Sequence, residues 1–142
     1  MFEVVFEKGP TVRFLSHLEV TRALERAVRR AGLPVAYSKG FNPRPRLSFA
    51  APLPVGVSGS AERVFVTLTR DCAPREAASA LAPHMPPGLK LVEVAALPAG
   101  RKPDFSLLDA AEYEIAFETP LDPPLAQRVA ELGIGAAHNG PT

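Results

Sequence analysis

The chain has one cysteine, no tryptophan and two methionines among its 142 residues. A single thiol, Cys72, cannot close an internal disulfide. It cannot alone hold zinc or an iron–sulfur cluster, because each needs several thiolate or imidazole ligands. Cys72 therefore reads as a small, half-buried apolar side chain. Two of the three histidines, His84 and His138, stand in proline- or glycine-rich surroundings without ligand spacing. No apolar run approaches the ~18 residues that a membrane span requires. The opening stretch, MFEVVFEKGPTVRF, carries acids where a signal peptide would carry its apolar region. The expectation is a cytoplasmic protein without a membrane partner. A glycine-rich nucleotide cradle, paired carboxylates in a recognisable frame and a metal-ligand cluster are all missing as well. An enzyme is accordingly the less expected reading, and no cofactor is expected in this chain.

What is present is an ordinary globular composition, 46% hydrophobic and 22% charged, with an uneven distribution of charge. The net charge is +1, yet residues 1–50 hold nine Lys/Arg against four Asp/Glu, and residues 51–142 hold seven against eleven. From Arg22 to Arg46 there are seven basic residues and one acid, Glu25. Segregation of this kind suits a polyanion or an acidic partner surface; a solvated helix face would produce it too.

Pattern and punctuation predict a strand over FEVVFE, a turn at Gly9-Pro10 and a helix from His17. Ser16 and Glu19 have the spacing of a capping box. Val20, Leu24, Ala27, Val28 and Ala31 recur at helical intervals, and Gly32 and Pro34 stop the helix. An interrupted extended segment follows, LSFAAPLPVGVSGS, then an alternating strand over 61–70. A second helix starts at Pro74 and is broken by Pro83, and a strand covers 89–97. The order strand, helix, strand, strand, helix, strand predicts an α+β, ferredoxin-like βαββαβ sandwich over residues 2–97, with two helices on one face of an antiparallel sheet. Beyond it the expectations are a linker over 98–110, then a partial second α/β unit over 111–135. That unit has a strand over 111–120 and a short helix over 123–133. A frayed tail over 136–142 closes the chain. The cut-short strand would lean on the first domain, on a second copy or on another protein.

Two features carry candidate chemistry. On the first helix, Arg22, Arg26 and Arg29 are four and three residues apart and share a face, with Arg30 one step round. Glu25 and Arg29 have i, i+4 spacing. Guanidinium groups spread along ~10 Å of helix match successive phosphates better than a small substrate. The second feature is the stretch YSKGFNPRPRLSF (37–49), which mixes Lys39, Arg44 and Arg46 with Tyr37, Phe41 and Phe49. Gly40 relaxes the backbone, Pro43 and Pro45 stiffen it, and a stiff loop loses less entropy on binding an anion. Arginine forks suit phosphate oxygens. Tyr37 or Phe41 would stack on a base; alternatively Phe41 and Phe49 are core residues that anchor the loop. The arginines of helix and loop are expected to converge on one cationic surface. Arg13, Ser16 and His17 lie close together in sequence, which makes His17 a weak acid–base candidate, although a helix N-terminus disfavours imidazolium. Glu62 is a candidate partner for an arginine of the loop.

The stretches VRFLSHLEVTRALERAVRRAGLPVAYSKGFNPRPRLSFAAPLPVGV and DAAEYEI resemble the radical SAM-linked protein family. These are bacterial proteins of unknown function encoded beside, or fused behind, a radical S-adenosylmethionine enzyme. The likeness runs over about residues 2–118. It implies a radical SAM enzyme as partner. It does not imply that chemistry here, since such an enzyme holds its cluster with three closely spaced cysteines. Lys39 stands where the family usually has glutamine and Arg44 where histidine is common, which weakens any histidine catalyst in this loop. Members usually continue well past residue 142, so this chain is expected to lack part of a full member. There is also a looser, fold-level similarity to ferredoxin-like RNA-handling domains with a glycine-containing basic loop, which carries no function by itself.

Three functions follow as expectations. The first is a non-catalytic domain docking RNA for a radical SAM partner through Arg13, Arg22, Arg26, Arg29, Tyr37, Lys39, Arg44 and Arg46. The second is a protein adaptor that meets an acidic patch on that partner without nucleic acid, with a homo-oligomer through the C-terminal strand as a further possibility. The third is a metal-independent ribonuclease using His17 and Arg13.

Overall fold

The structure, a computed structural model, describes residues 1–98, 112–115 and 122–131. The chain divides into two units, Met1–Leu107 and Leu108–Thr142. In the first unit β1 (Phe2–Lys8) leads through a 3₁₀ turn (Pro10–Val12) to α1 (His17–Arg30). Next come β2 (Leu47–Phe49) and β3 (Gly59–Val66), then α2 (Pro74–Leu81), a 3₁₀ turn (Ala82–His84) and β4 (Leu89–Ala96). The strands form one sheet in the order β2-β3-β1-β4, with every neighbouring pair antiparallel. The architecture is therefore α+β, built on a four-stranded antiparallel sheet.

The first strand is one of the two inner strands of that sheet, and its composition suits burial. Val and Phe fit a pleated, packed surface, and β1 alternates Phe2, Val4 and Phe6 onto one face. All three are buried and share a core with Val64 and Val66 of β3, Leu89 of β4, Val20, Leu24, Ala27 and Val28 of α1, and Ala77 and Leu81 of α2. Each large side chain in this set contributes about 1.5–3 kcal/mol by leaving water. The other face carries Glu3, which accepts an ion-pair contact from Arg63 at 2.7 Å. Val5 and Phe65, on that face too, are also buried.

Local signals set the ends of α1. The Ser16 hydroxyl accepts from the Glu19 backbone N–H, and the Glu19 carboxylate accepts from the Ser16 N–H at 2.8 Å, so the capping box closes in both directions. At the other end Gly32, at φ +65°, takes the left-handed conformation that ends a helix and donates to the Arg29 carbonyl. α2 stops at Leu81 because Pro83 follows and has no N–H to continue the ladder.

The structure departs from the sequence-based expectation at the end of β3. The strand expected over 61–70 runs instead from Gly59 to Val66. Past Val66, residues 67–69 pair with segment 34–36. Thr69 N donates to the Pro34 carbonyl and Ala36 N to the Thr67 carbonyl, while Val35 bridges Leu68. Local alternation alone cannot anticipate a partner 35 residues away. In β4 the register steps from Val5↔Glu93 to Phe6↔Leu91, which leaves Val92 as a bulge residue, exposed at the sheet edge.

In the second unit α3 spans Pro123–Glu131, and its first turn is tied by Leu125 N to the Asp122 carboxylate. The strand expected over 111–120 is described only at residues 112–115, which belong to no strand. The remainder of that strand, the linker expected over 98–110 apart from Pro98, and the tail over 136–142 lie outside the described residues.

Candidate nucleic-acid interface

Residues 37–46 form a finger whose base is tied by hydrogen bonds. Ser38 N donates to the Arg44 carbonyl, Arg46 N to the Ala36 carbonyl, and Arg44 N to the Ser38 hydroxyl, at 2.8, 2.8 and 3.0 Å. Thr67 N donates to the Arg46 carbonyl and joins the base to β3. Gly40 sits at φ +127° at the tip, a conformation that side chains rarely adopt, with open space where a Cβ would stand. The finger is thus pinned at its root by backbone bonds that do not depend on its side chains.

Phe41 is fully exposed at that tip, and Tyr37 is exposed beside it. This corrects the expectation that Phe41 anchors the loop in the core. Only Phe49 does so: it is half-buried, packs against the core, and meets the edge of the His17 ring at 4.6 Å and 85°. Phe41 falls between Gly40 and Asn42 in a turn that returns before it reaches the sheet, whereas Phe49 lies in β2.

The cations surround the finger. Arg29, in the last turn of α1, donates to the Pro43 carbonyl at 3.1 Å and lies over the Tyr37 ring at 5.7 Å. Side chains alternate along an extended chain, and Leu47 and Phe49 face the core. Pro45 is buried, while Arg44 and Arg46 on either side of it are exposed. Lys39 is exposed next to the tip. Helix and finger meet at Arg29. Arg22, Arg26 and Arg30 are exposed along α1. Arg13 is remote, since it precedes an α1 about 20 Å long while Arg29 stands in its last turn. Its guanidinium lies over Phe14 at 4.8 Å.

A second polar group was not anticipated. Lys8 is 2% exposed, and its ammonium donates to the Leu15 carbonyl at 3.0 Å. Lys8 and Glu62 line a cavity of about 20 Å³ with His17, Phe49 and Leu53. Alternation was the available signal: Lys8 is in step with Phe2, Val4 and Phe6, and Glu62 with Val64 and Val66. Glu62 therefore faces Lys8 in the helix–sheet layer and is not the partner of a loop arginine. Burial pushes the Glu62 carboxyl above its ordinary value, and Lys8 partly opposes the rise. The Glu19 carboxyl shifts the other way, held down by the Ser16 backbone and hydroxyl. Among the described residues no group of three or more His, Cys, Asp or Glu is placed to hold a metal, and no helix is long and apolar enough to cross a membrane.

Glu62 yields a pH prediction. A carboxyl raised on folding favours the native state fully below its unfolded value near 4.5, and that contribution is lost as pH rises through the folded value. Glu62→Gln, which cannot ionise, should therefore gain stability relative to the parent as pH rises from 4 to 7. Urea midpoints at the two pH values measure this. A constant difference would show that Glu62 ionises without cost.

The chain belongs to a family of uncharacterised proteins conserved in bacteria, DUF2344, whose family model matches residues 2–134. No curated protein and no solved structure matches it.

Proposed function

We propose that this chain is a non-catalytic RNA-docking domain of ferredoxin-like fold that works beside a radical SAM enzyme. The fold reading is supported by the strand–helix–strand–strand–helix–strand order together with the sheet order β2-β3-β1-β4. The partner reading rests on the resemblance of residues 2–118 described above. One observation carries the RNA reading: a fully exposed phenyl ring at the tip of a finger with a hydrogen-bonded root, which also bears exposed Lys39, Arg44 and Arg46 and is met by Arg29. An exposed ring on a preformed support stacks on a base of any sequence, and exposed arginines of the finger and of α1 suit the backbone phosphates.

The test is retention of RNA at low salt, read as the ratio of absorbance at 260 and 280 nm, followed by filter binding. Four phosphate contacts to a single strand predict a roughly 50-fold loss of affinity between about 50 and 200 mM salt. Protein that holds no RNA even at low salt would overturn the reading.

A further inference from the structure

We propose that the N-terminal end of α1 carries a second docking surface, one that takes an acidic protein segment bearing apolar side chains. It is independent of the RNA reading and lies at the far end of α1 from the finger. Three large apolar residues are exposed there: Phe14 by 67%, Leu18 by 50% and Val55 by 59%. The loop that holds Val55 is tied to the segment that holds Phe14. Gly56 N donates to the Arg13 carbonyl at 2.8 Å, and the Phe14 ring stands 3.9 Å from where a Gly56 Cβ would be. Leu18 stands in the first turn of α1, just past the Ser16 cap that follows the Phe14 segment. At 100° per residue it points directly away from the Val20, Leu24 and Ala27 core, in line with Arg22.

Large apolar side chains left together in water mark an interaction site more often than single ones do. Leu18 and Val55 offer neither a stacking plane nor a hydrogen bond, so a nucleic acid has little to gain from them. An apolar face of another polypeptide gains burial. Charge selects the kind of polypeptide. Arg13 covers Phe14 at 4.8 Å, and Arg22 stands one turn beyond Leu18. Glu19, next to Leu18, keeps its negative charge in the capping box, and the two arginines outnumber it. The rim is therefore cationic, which attracts acidic partners and repels basic ones. An amphipathic helix with leucines on one face and glutamates on the other has the matching chemistry.

The probe is a fluorescein-labelled synthetic helix with Leu at i, i+4 and i+7 and Glu elsewhere on its polar face, titrated against the full chain by anisotropy. Saturable binding is expected. It should weaken at least about tenfold, or 1.4 kcal/mol, in Phe14→Ser/Leu18→Ser, and by a similar factor when the glutamates of the probe become glutamine. Phe41→Ala should leave it unchanged while weakening RNA binding, so failure of this proposal and failure of the RNA reading are distinguishable. Circular dichroism confirms that the double variant is folded, and Val55→Ser provides a second variant far from the helix cap. Equal affinity in the serine variants, or equal affinity for the glutamine probe, would overturn the proposal. So would concentration-dependent self-association that the double variant abolishes, because the occupant would then be a second copy.

Discussion

Phe41→Ala, Arg44→Ala and Arg46→Ala together should lower RNA affinity by roughly two orders of magnitude, and the parts of that loss should separate by their salt dependence. Loss of the ring removes a stacking contribution of about 1–3 kcal/mol that is insensitive to salt. Loss of each arginine lowers the slope of log affinity against log salt by about one, with a smaller effect at high salt. Phe41→Ala alone should therefore shift the whole salt curve downward in parallel, while Arg44→Ala/Arg46→Ala should flatten it. None of these substitutions touches the root of the finger. The bonds there use the backbone N–H of Arg44 and Arg46, the backbone carbonyls of Ala36 and Arg44 and the Ser38 hydroxyl, all of which remain. Filter binding at four salt concentrations measures both quantities. A triple variant with the parent's affinity and slope would remove the finger as the RNA site.

The largest effect on stability is expected at Phe6. It is 2% exposed on an inner strand, paired with Glu62 on one side and Leu91 on the other. It also lines the small cavity beneath His17. Truncation to alanine removes most of a buried ring and enlarges a void that the sheet cannot close, because β1 is held from both sides. Phe6→Ala should cost about 3–5 kcal/mol, a large fraction of the ~5–15 kcal/mol that holds a domain together. Denaturant unfolding at constant pH measures it, and a loss below about 1 kcal/mol would mean that the layer relaxes around the gap.

How the site was assembled explains why only part of it was legible beforehand. The finger could be suspected because two prolines, a glycine and three cations crowd into a few residues, and each acts on its own backbone or through its own charge. The exposure of Phe41 could not be inferred in the same way. Phe41 and Phe49 are chemically identical, and what separates them is that residue 49 lies in β2 against β3 whereas residue 41 lies where the chain reverses. The same applies to Lys8 and Glu62. Charged residues are normally exposed, so a buried lysine is recognised only when its strand is seen to face a helix layer.

The sequence by itself determined the elements whose causes lie within a few residues. Ser16 and Glu19 cap α1, Gly32 ends it, Pro83 ends α2, and the alternation in FEVVFEK makes a strand with one buried face. Those interactions span three or four positions and persist whatever the rest of the chain does. The tertiary structure alone decided which strand lies beside which, and hence that residues 67–69 pair with segment 34–36 and that Arg29 meets the finger at Pro43. It also left Phe41, Phe14, Leu18 and Val55 in water. The reason is that register and burial depend on contacts between residues far apart in sequence, whose partners no local pattern names.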